Sequence, residues 1–282
     1  MKVISTEPSQ ILGARVASGL GTEVVDVRFS RFPDGEHYMQ AGAVDEEMVI
    51  VGSVNTSDAL VQLLLLIDAC EGSDNTLIIP YMGYARQDKR FHPGEPISAR
   101  AVAQALSHGV SRVFTVNIHE ESVLSHFRVP AKNVSLAPDI GRHLCDMDLD
   151  LPVILAPDEG ACHFAGSVAS VCRWEWDHLK KTRLSGEEVR IEPKRLGVSG
   201  RDVVIVDDII STGGTIATAA SMLRQQGARR VYAACVHGVF TGGAFMHLIG
   251  AGVQEIFCTD TIERGCSQVS GGKTIAETIL AC

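Results

Sequence analysis

The stretch Val203-Val-Ile-Val-Asp-Asp-Ile-Ile-Ser-Thr-Gly-Gly-Thr215 limits what this chain can fold into more than any other part of it. Four apolar β-branched residues predict a buried strand. Asp207 and Asp208 follow at its end, then a turn rich in hydroxyls and glycine. Residues 216–226 then read as a helix, stopped by Gly227. The turn amides and the helix start attract a phosphate. The two carboxylates, which only accept hydrogen bonds when ionised, suit a pair of sugar hydroxyls. The segment therefore asks for an anion at one end and a diol at the other, the pattern of a phosphosugar cradle. The plainer alternative is an ordinary βα turn with acids at the strand end. A P-loop is excluded because no Gly-x-x-x-x-Gly-Lys-Ser/Thr occurs. Gly19-Leu-Gly21 fails as a dinucleotide fingerprint, since Val24 stands where the third glycine belongs.

The same alternation extends along the chain. Strands are expected at 2–5, 24–29, 48–53, 76–80 and 112–117, with helices at 8–20, 57–69 and 96–107. A second series has strands at 152–156, 203–206, 230–236 and 255–258, with helices at 161–171, 216–226 and 243–249. This pattern predicts an α/β fold of two domains, each a mainly parallel sheet flanked by helices, divided near residues 138–151. A length of 282 residues suits two domains of ordinary size. The net charge of −9 argues against nonspecific binding to nucleic acid or to an acidic membrane. An anionic substrate must then be held by local cations or by metal. The N-terminus shows no signal-peptide pattern, and the greasiest run, residues 59–70, carries Gln62 and Asp68 and is too short to span a bilayer. The eight cysteines form no Cys-x-x-Cys pair and read as free, mostly buried thiols in a reducing cytoplasm, without structural zinc. Asn55-Thr-Ser and Asn133-Val-Ser match glycosylation sequons, accidental ones in a cytoplasmic chain.

Besides the acidic turn above, five blocks hold the chemistry, and all five precede it. Arg31-Phe-Pro-Asp-Gly-Glu-His37 is a tight turn, and its carboxylates could read an adenine amino group or do nothing beyond closing a hairpin. Pro80-Tyr-Met-Gly-Tyr-Ala-Arg-Gln-Asp-Lys-Arg90 runs on to Ser98 and gathers Arg86, Lys89 and Arg90 between a strand and a helix. Such a cationic loop suits a triphosphate, although charge clusters are often solvated loops. Asn117-Ile-His-Glu120 puts His119 just past a strand, and the His-Glu-x-x-His metalloprotease pattern fails at Val123. In Ala156-Pro-Asp-Glu-Gly-Ala161, Asp158 suits a hard cation, and equally an N-cap. A further basic segment, Leu179-Lys-Lys-Thr-Arg-Leu184, would point Lys181 and Arg183 the same way in an extended strand, with Lys180 facing away. Two cations on one side fit a transferring phosphoryl group or an exposed basic edge.

The 207–215 segment resembles the sugar-diphosphate loop of the type I phosphoribosyltransferase superfamily. The blocks together, in their order and over nearly the whole length, resemble the ribose-phosphate pyrophosphokinase family. That resemblance implies two phosphoribosyltransferase-like domains, 1–145 and 146–282, with the last helix packing back on the first. It implies transfer of the β,γ-pyrophosphoryl group of ATP to the 1-hydroxyl of ribose 5-phosphate, for nucleotide biosynthesis, in a cytoplasmic homo-oligomer. The implied ATP site, shared between subunits, uses Phe32 to stack on the base, Asp34, Gly35 and Glu36 beside it, and Arg86 and Gln87. Mg²⁺ would be met by His119 and Asp158, the imidazole only weakly or partly through water, because magnesium prefers oxygen. Lys181 would stabilise the transition state and Arg183 would contact substrate. Asp207, Asp208, Ser211, Thr212, Gly213, Gly214 and Thr215, with Arg183, would bind ribose 5-phosphate. Asn117 departs from the family's Asp-x-His. Ser211-Thr-Gly-Gly-Thr215 departs from the Asp-Thr-Ala-Gly-Thr of the widespread bacterial form and looks archaeal. The competing expectations are a phosphoribosyltransferase consuming that sugar diphosphate, which would not need the blocks at 31–37 and 86–87, and a catalytically silent regulatory paralogue.

Overall fold

The computed structural model describes residues 1–179, 181–183, 189–191 and 197–282, with side chains for 1–179 and 197–282. The chain divides into two compact units. The first comprises Met1–Ser135, Asp260–Glu263 and Ser270–Cys282, and the second comprises Leu136–Thr259 and Arg264–Val269.

The first unit begins with β1 (Lys2–Ser5), α1 (Gln10–Leu20), β2 (Val27–Arg31), β3 (His37–Ala41), β4 (Glu47–Val51) and α2 (Ser57–Ala69). It continues through β5 (Asp74–Ile79), α3 (Ser98–Leu106), β6 (Arg112–Val116) and β7 (Ala131–Val134). Five strands form one sheet in the order β1-β4-β5-β6-β7, every pair parallel. Met48, Ile50, Leu77 and Ile79 are buried in it against Leu63, Leu66 and Ile67 of α2. Thr56 starts α2 by accepting a 3.0 Å bond from the Ala59 amide, the usual N-cap device. Gly21 stops α1 in the left-handed region at φ +65, so the glycine pair of the discarded fingerprint belongs to a helix cap.

The strand expected at 24–29 begins only at Val27 and runs to Arg31, and it leaves the main sheet to pair antiparallel with β3 as a separate hairpin. Val24 makes one isolated bridge to Val3. The apolar content at 24–27 is shared between two structures, which a single period could not show.

The second unit holds α4 (Ala137–Cys145), β8 (Val153–Ala156), α5 (Cys162–Cys172), β9 (Glu175–His178), β10 (Lys181–Arg183) and β11 (Val189–Ile191). After these come β12 (Asp202–Ile210), α6 (Gly214–Gln225), β13 (Arg230–Gly238), α7 (Ala244–Gly250), β14 (Glu255–Thr259) and β15 (Ser267–Val269). The last helix, α8 (Gly272–Leu280), returns to the first unit and packs on α1. There Arg15 pairs with the buried Asp260, whose other oxygen accepts from the Gly271 amide at 2.8 Å. The second sheet is also all parallel, in the order β15-β14-β13-β12-β8-β9. From β8 the chain steps outward to β9, then returns to place β12 on the other side of β8. Right-handed crossovers in opposite directions put their helices on opposite faces. They leave a crevice beyond the carboxyl ends of β8 and β12, the usual ligand position in such sheets.

The expectation that all cysteines are free fails at one pair. Cys145 at the end of α4 and Cys172 at the end of α5 form a disulfide with Cα atoms 6.0 Å apart. The two helices pack closely, and a pairing across 27 residues has no signature in local spacing. The other six are thiols, four of them buried. Among the described residues no helix is long and apolar enough to cross a membrane.

Candidate active site

The sugar-phosphate segment lies at the switch crevice of the second unit. Val203, Val204, Ile205 and Val206 are fully buried between β8 and β13, as four β-branched residues in a central parallel strand should be. The carboxylates do not follow the strand, as expected from sequence. β12 continues through Asp207 and Asp208 to Ile210, because β13 carries matching backbone as far as Gly238. Both acids therefore lie within the strand instead of in a loop, with Asp207 in register with Cys235. Burial pushes the Asp207 carboxyl well above the usual carboxylate range, and the like charges of Asp208 and Asp158 add to the rise. Only the Asp208 amide, 2.9 Å away, opposes it. Asp158, at the end of β8, belongs to the same charge cluster and also accepts from the Ala161 amide at 3.3 Å, so its capping and ligand readings coexist.

Beyond Ile210 the chain turns through Ser211 and Thr212 into Gly213, which has φ +75 and precedes the first turn of α6. A Cβ at Gly213 would lie 3.1 Å from Leu248 of α7, and the positive φ is itself costly for any side chain. Glycine is thus required there for two separate reasons. Thr215 lies in the first turn of α6, where amide dipoles favour an anion. The helix begins at Gly214, two residues earlier than the hydrophobic pattern suggests, so Gly214 and Thr215 present helical amides to the turn.

The nucleotide blocks lie on the first unit. Phe32, Asp34, Gly35 and Glu36 form the tip of the β2–β3 hairpin. The Phe32 amide donates to the Glu36 carbonyl at 2.9 Å, and Gly35 has φ +98. Phe32 is 50% exposed, its ring edge-on to Tyr38. Arg31 anchors the hairpin base by donating to Asp58 at 2.6 Å, which holds the Asp58 carboxyl below its usual range. The second block leaves β5 through Gly83, where a Cβ would sit 2.1 Å from the Val54 carbonyl oxygen. Tyr84 follows at φ +65, its hydroxyl 2.7 Å from that of Ser57. Arg86 is exposed. Gln87 is fixed at the start of α3: Ser98 donates to its side-chain oxygen, and its carbonyl accepts from the Ala99 amide at 3.2 Å. His119 is exposed beyond β6, after Asn117 at φ +38, a left-handed position that asparagine tolerates better than most residues.

The structure therefore gathers Asp158, Asp207 and Asp208, and seats the 211–215 turn beside them, in one unit. Phe32, Asp34, Gly35, Glu36, Arg86, Gln87 and His119 belong to the other. Lys181 and Arg183 lie on β10, which pairs antiparallel with β11, in keeping with the extended strand expected there. Their side chains, like Lys180 as a whole, lie outside the described residues. Sequence reading missed several supporting residues. Asn133, dismissed as a stray sequon, uses its side-chain oxygen to accept from Thr115 at 3.2 Å and from the Ile118 amide at 3.0 Å, fixing the turn that leads to His119. Ser57 and Asp58 likewise hold blocks far from them in sequence. None carries a local motif; a polar residue at a helix start was the only available signal.

Comparison with known proteins agrees with this arrangement. The family described as the N-terminal domain of ribose phosphate pyrophosphokinase matches residues 1–109, and the phosphoribosyl transferase domain family matches residues 139–246. The chain is 49% identical over 282 residues to a ribose-phosphate pyrophosphokinase of Methanosarcina acetivorans, covering 99% of each. It is 44% identical over 283 residues to one from Halobacterium salinarum, covering 98% of this chain and 100% of that one. The crystal structure of phosphoribosylpyrophosphate synthetase from Mycobacterium smegmatis matches with a TM-score of 0.83 at 28% identity, over 99% of this chain and 97% of the other. On the strength of full-length identity and a shared two-unit architecture, the chain belongs to the ribose-phosphate pyrophosphokinase family.

Proposed function

We propose that this protein moves the β,γ-pyrophosphoryl group of ATP onto the 1-hydroxyl of ribose 5-phosphate, giving 5-phosphoribosyl 1-pyrophosphate and AMP. The observation that carries the reading is the presence, in one chain, of the sugar-phosphate turn after β12 and the complete set of nucleotide blocks on the first unit. A transferase that only consumed the sugar diphosphate would need the first and not the second.

Asp207 and Asp208 accept hydrogen bonds from the vicinal hydroxyls of the pentose, while Ser211, Thr212, Gly213, Gly214 and Thr215 receive its 5-phosphate through amides and hydroxyls. Phe32 stacks on adenine, with Asp34, Gly35 and Glu36 along the base edge, and Arg86 and Gln87 meet the nucleotide. The half-exposed Phe32 is supported as a donor to a neighbouring subunit's site in a homo-oligomer. Lys181 and Arg183 supply fixed positive charge for the transferring group, and Arg183 also contacts the sugar phosphate. Transfer of this kind asks the protein for alignment and charge stabilisation, with little covalent work.

Among the described residues no group of three His, Cys, Asp or Glu side chains could hold a metal ion by itself, so Mg²⁺ would come with the substrate phosphates and meet Asp158, whose hard carboxylate oxygens magnesium prefers. When bound, the ion neutralises charge on the phosphate oxygens. The enzyme acts in the cytoplasm on small molecules, without nucleic acid or membrane.

The test is incubation with Mg²⁺, ATP and ribose 5-phosphate, following AMP. AMP release dependent on the sugar supports the reading. No release, or release without the sugar, overturns it. Release that persists at full rate in Lys181→Ala removes that lysine from the chemistry.

A further inference from the structure

The turn between β13 and α7 lies outside every sequence block, yet it is built against the sugar-phosphate turn. Ile210, the last residue of β12, accepts two amides through its carbonyl, from Val239 and from Phe240, each at 3.0 Å. One residue later the Thr241 amide donates to the Ser211 carbonyl at 3.1 Å, and the two hydroxyls lie 3.3 Å apart. Leu248 of α7 fills the space under Gly213. Ile210, Ser211 and Gly213 are thus each braced from the 239–248 segment.

That segment is itself strained. Phe240 has φ +46, a left-handed conformation unfavourable for a bulky aromatic residue. Such a conformation persists only where the surroundings over-determine it, and it concentrates at functional sites. Here the surroundings are visible. Arg264 donates to the carbonyls of Gly238 and Val239 at 2.9 and 3.0 Å, and the Phe240 ring lies where a side chain at Gly238 would fall, 2.5 Å from an added Cβ. A turn held so firmly in an unfavourable conformation has one evident product: it delivers the Thr241 amide and hydroxyl to Ser211.

We infer that Thr241 is a positioning residue for the pentose phosphate, holding Ser211 so that its hydroxyl faces the 5-phosphate. The inference rests on the reading above, which assigns Ser211 to that phosphate. A serine hydroxyl left to rotate would meet the phosphate in only a fraction of its rotamers. With Thr241 beside it, the serine has one neighbour that can both donate and accept, so its own proton is free to point at the anion when Thr241 donates.

Thr241→Ala and Thr241→Ser are compared with the parent in steady-state assays of AMP release, varying each substrate with the other saturating. Calorimetric binding of ribose 5-phosphate alone is measured beside them. The expected result for Thr241→Ala is a rise of about tenfold in KM and Kd for ribose 5-phosphate, the size of one lost hydroxyl–hydroxyl bond that orients Ser211. KM for ATP and kcat should stay within about twofold, and Thr241→Ser should recover most of the loss. Unchanged ribose 5-phosphate binding in Thr241→Ala overturns the inference. So does an equal loss across kcat and both KM values, or a serine variant as weak as alanine, since a general packing defect would behave that way. A parent protein that releases no AMP overturns the underlying reading, and this inference with it; an active parent beside an unaffected alanine variant overturns this inference alone.

Discussion

The two sets of candidate residues, one on each unit, are built by different means. The sugar-phosphate set is part of the sheet. Asp207 and Asp208 sit in a central strand, the following turn is wedged against Leu248, and Thr241 braces Ser211 from the side. The nucleotide set stands on projections from the first unit. Phe32 crowns a two-stranded hairpin outside the main sheet, and Arg86 lies exposed in a loop secured chiefly through Tyr84 and Gln87. A two-stranded hairpin has little stability by itself. Folding energy therefore orders one set before any ligand arrives, whereas the other is secured at its base and left open at its tip. On the proposed reading, the pentose would meet a preformed mould and the nucleotide would meet arms.

The sharpest way to break this contrast is Asp207→Asn. The substitution preserves shape and removes an anionic acceptor from the mould. Ribose 5-phosphate affinity should fall by about a hundredfold, the loss of one charge-assisted bond to a sugar hydroxyl, while ATP affinity changes less than about threefold. Calorimetry with each substrate separately decides it. Equal weakening of both would mean that the carboxylate serves the nucleotide as well, and the division between mould and arms would not hold.

The same strand offers an internal control at its other end. Asp202 opens β12 fully buried, where Arg229 donates to it at 2.9 Å and Arg230 at 2.6 Å. Burial pushes this carboxyl up, but the two guanidiniums and the Asp150 amide outweigh it and hold the group well below the usual carboxylate range. Its folded value is depressed, so its stabilisation is complete above the unfolded value near 4 and is lost as pH falls through the folded value. Asp202→Asn should lower stability at pH 7 by about 2 kcal/mol, as broken buried networks do. As pH falls from about 4 toward 2 the parent should lose stability faster than the variant, so that their melting curves draw together. A constant gap across that range would show that the pair contributes packing and no charge. One strand thus carries an acid matched by protein cations at its start and a pair of like-charged acids at its finish.

Much of the mould could be read from sequence, because its requirements are local. Val203 to Val206 had to be buried, Gly213 had to be glycine, and the helix had to follow. What escaped reading was set by the sheet or by distance. Nothing near Asp207 says that β13 extends far enough to keep it within the strand. Nothing near Phe240 says that its strained turn reaches Ser211, and nothing near Cys145 names Cys172 as its neighbour. The arms were legible as motifs, but their supports were not. Asn133 holds the His119 turn from a different strand, and Ser57 and Asp58 each act on a block they do not adjoin. Motif residues tend to announce themselves by type, whereas the residues that aim them are ordinary side chains placed by topology.

A smaller effect is expected at the hairpin tip. Phe32→Ala should raise KM for ATP by about tenfold, the scale of one lost ring stack, without moving the melting temperature or ribose 5-phosphate binding. An exposed ring that did lower the melting temperature when removed would be packing against the body of a subunit, and the tip would be no arm.

The least effect belongs to the hairpin base, and it separates holding from binding. Arg31→Ala removes the bond to Asp58 and the bond from Arg31 to the Gly35 carbonyl, at 3.0 Å, while leaving the stacking ring intact. Exposed ion pairs contribute little to global stability, so the melting temperature should hardly move. The hairpin would sample more orientations, and the ATP-competent one would become a smaller fraction of the population. A nucleotide pays for that fraction directly in apparent affinity, so a threefold drop in population gives a roughly threefold rise in KM for ATP. Raising ionic strength in the parent should reproduce part of this rise by screening the Arg31–Asp58 pair, and should do nothing further in the variant. If the two proteins respond to salt alike, Arg31 acts on the nucleotide itself, and the hairpin is stiffer than its exposed tip implies.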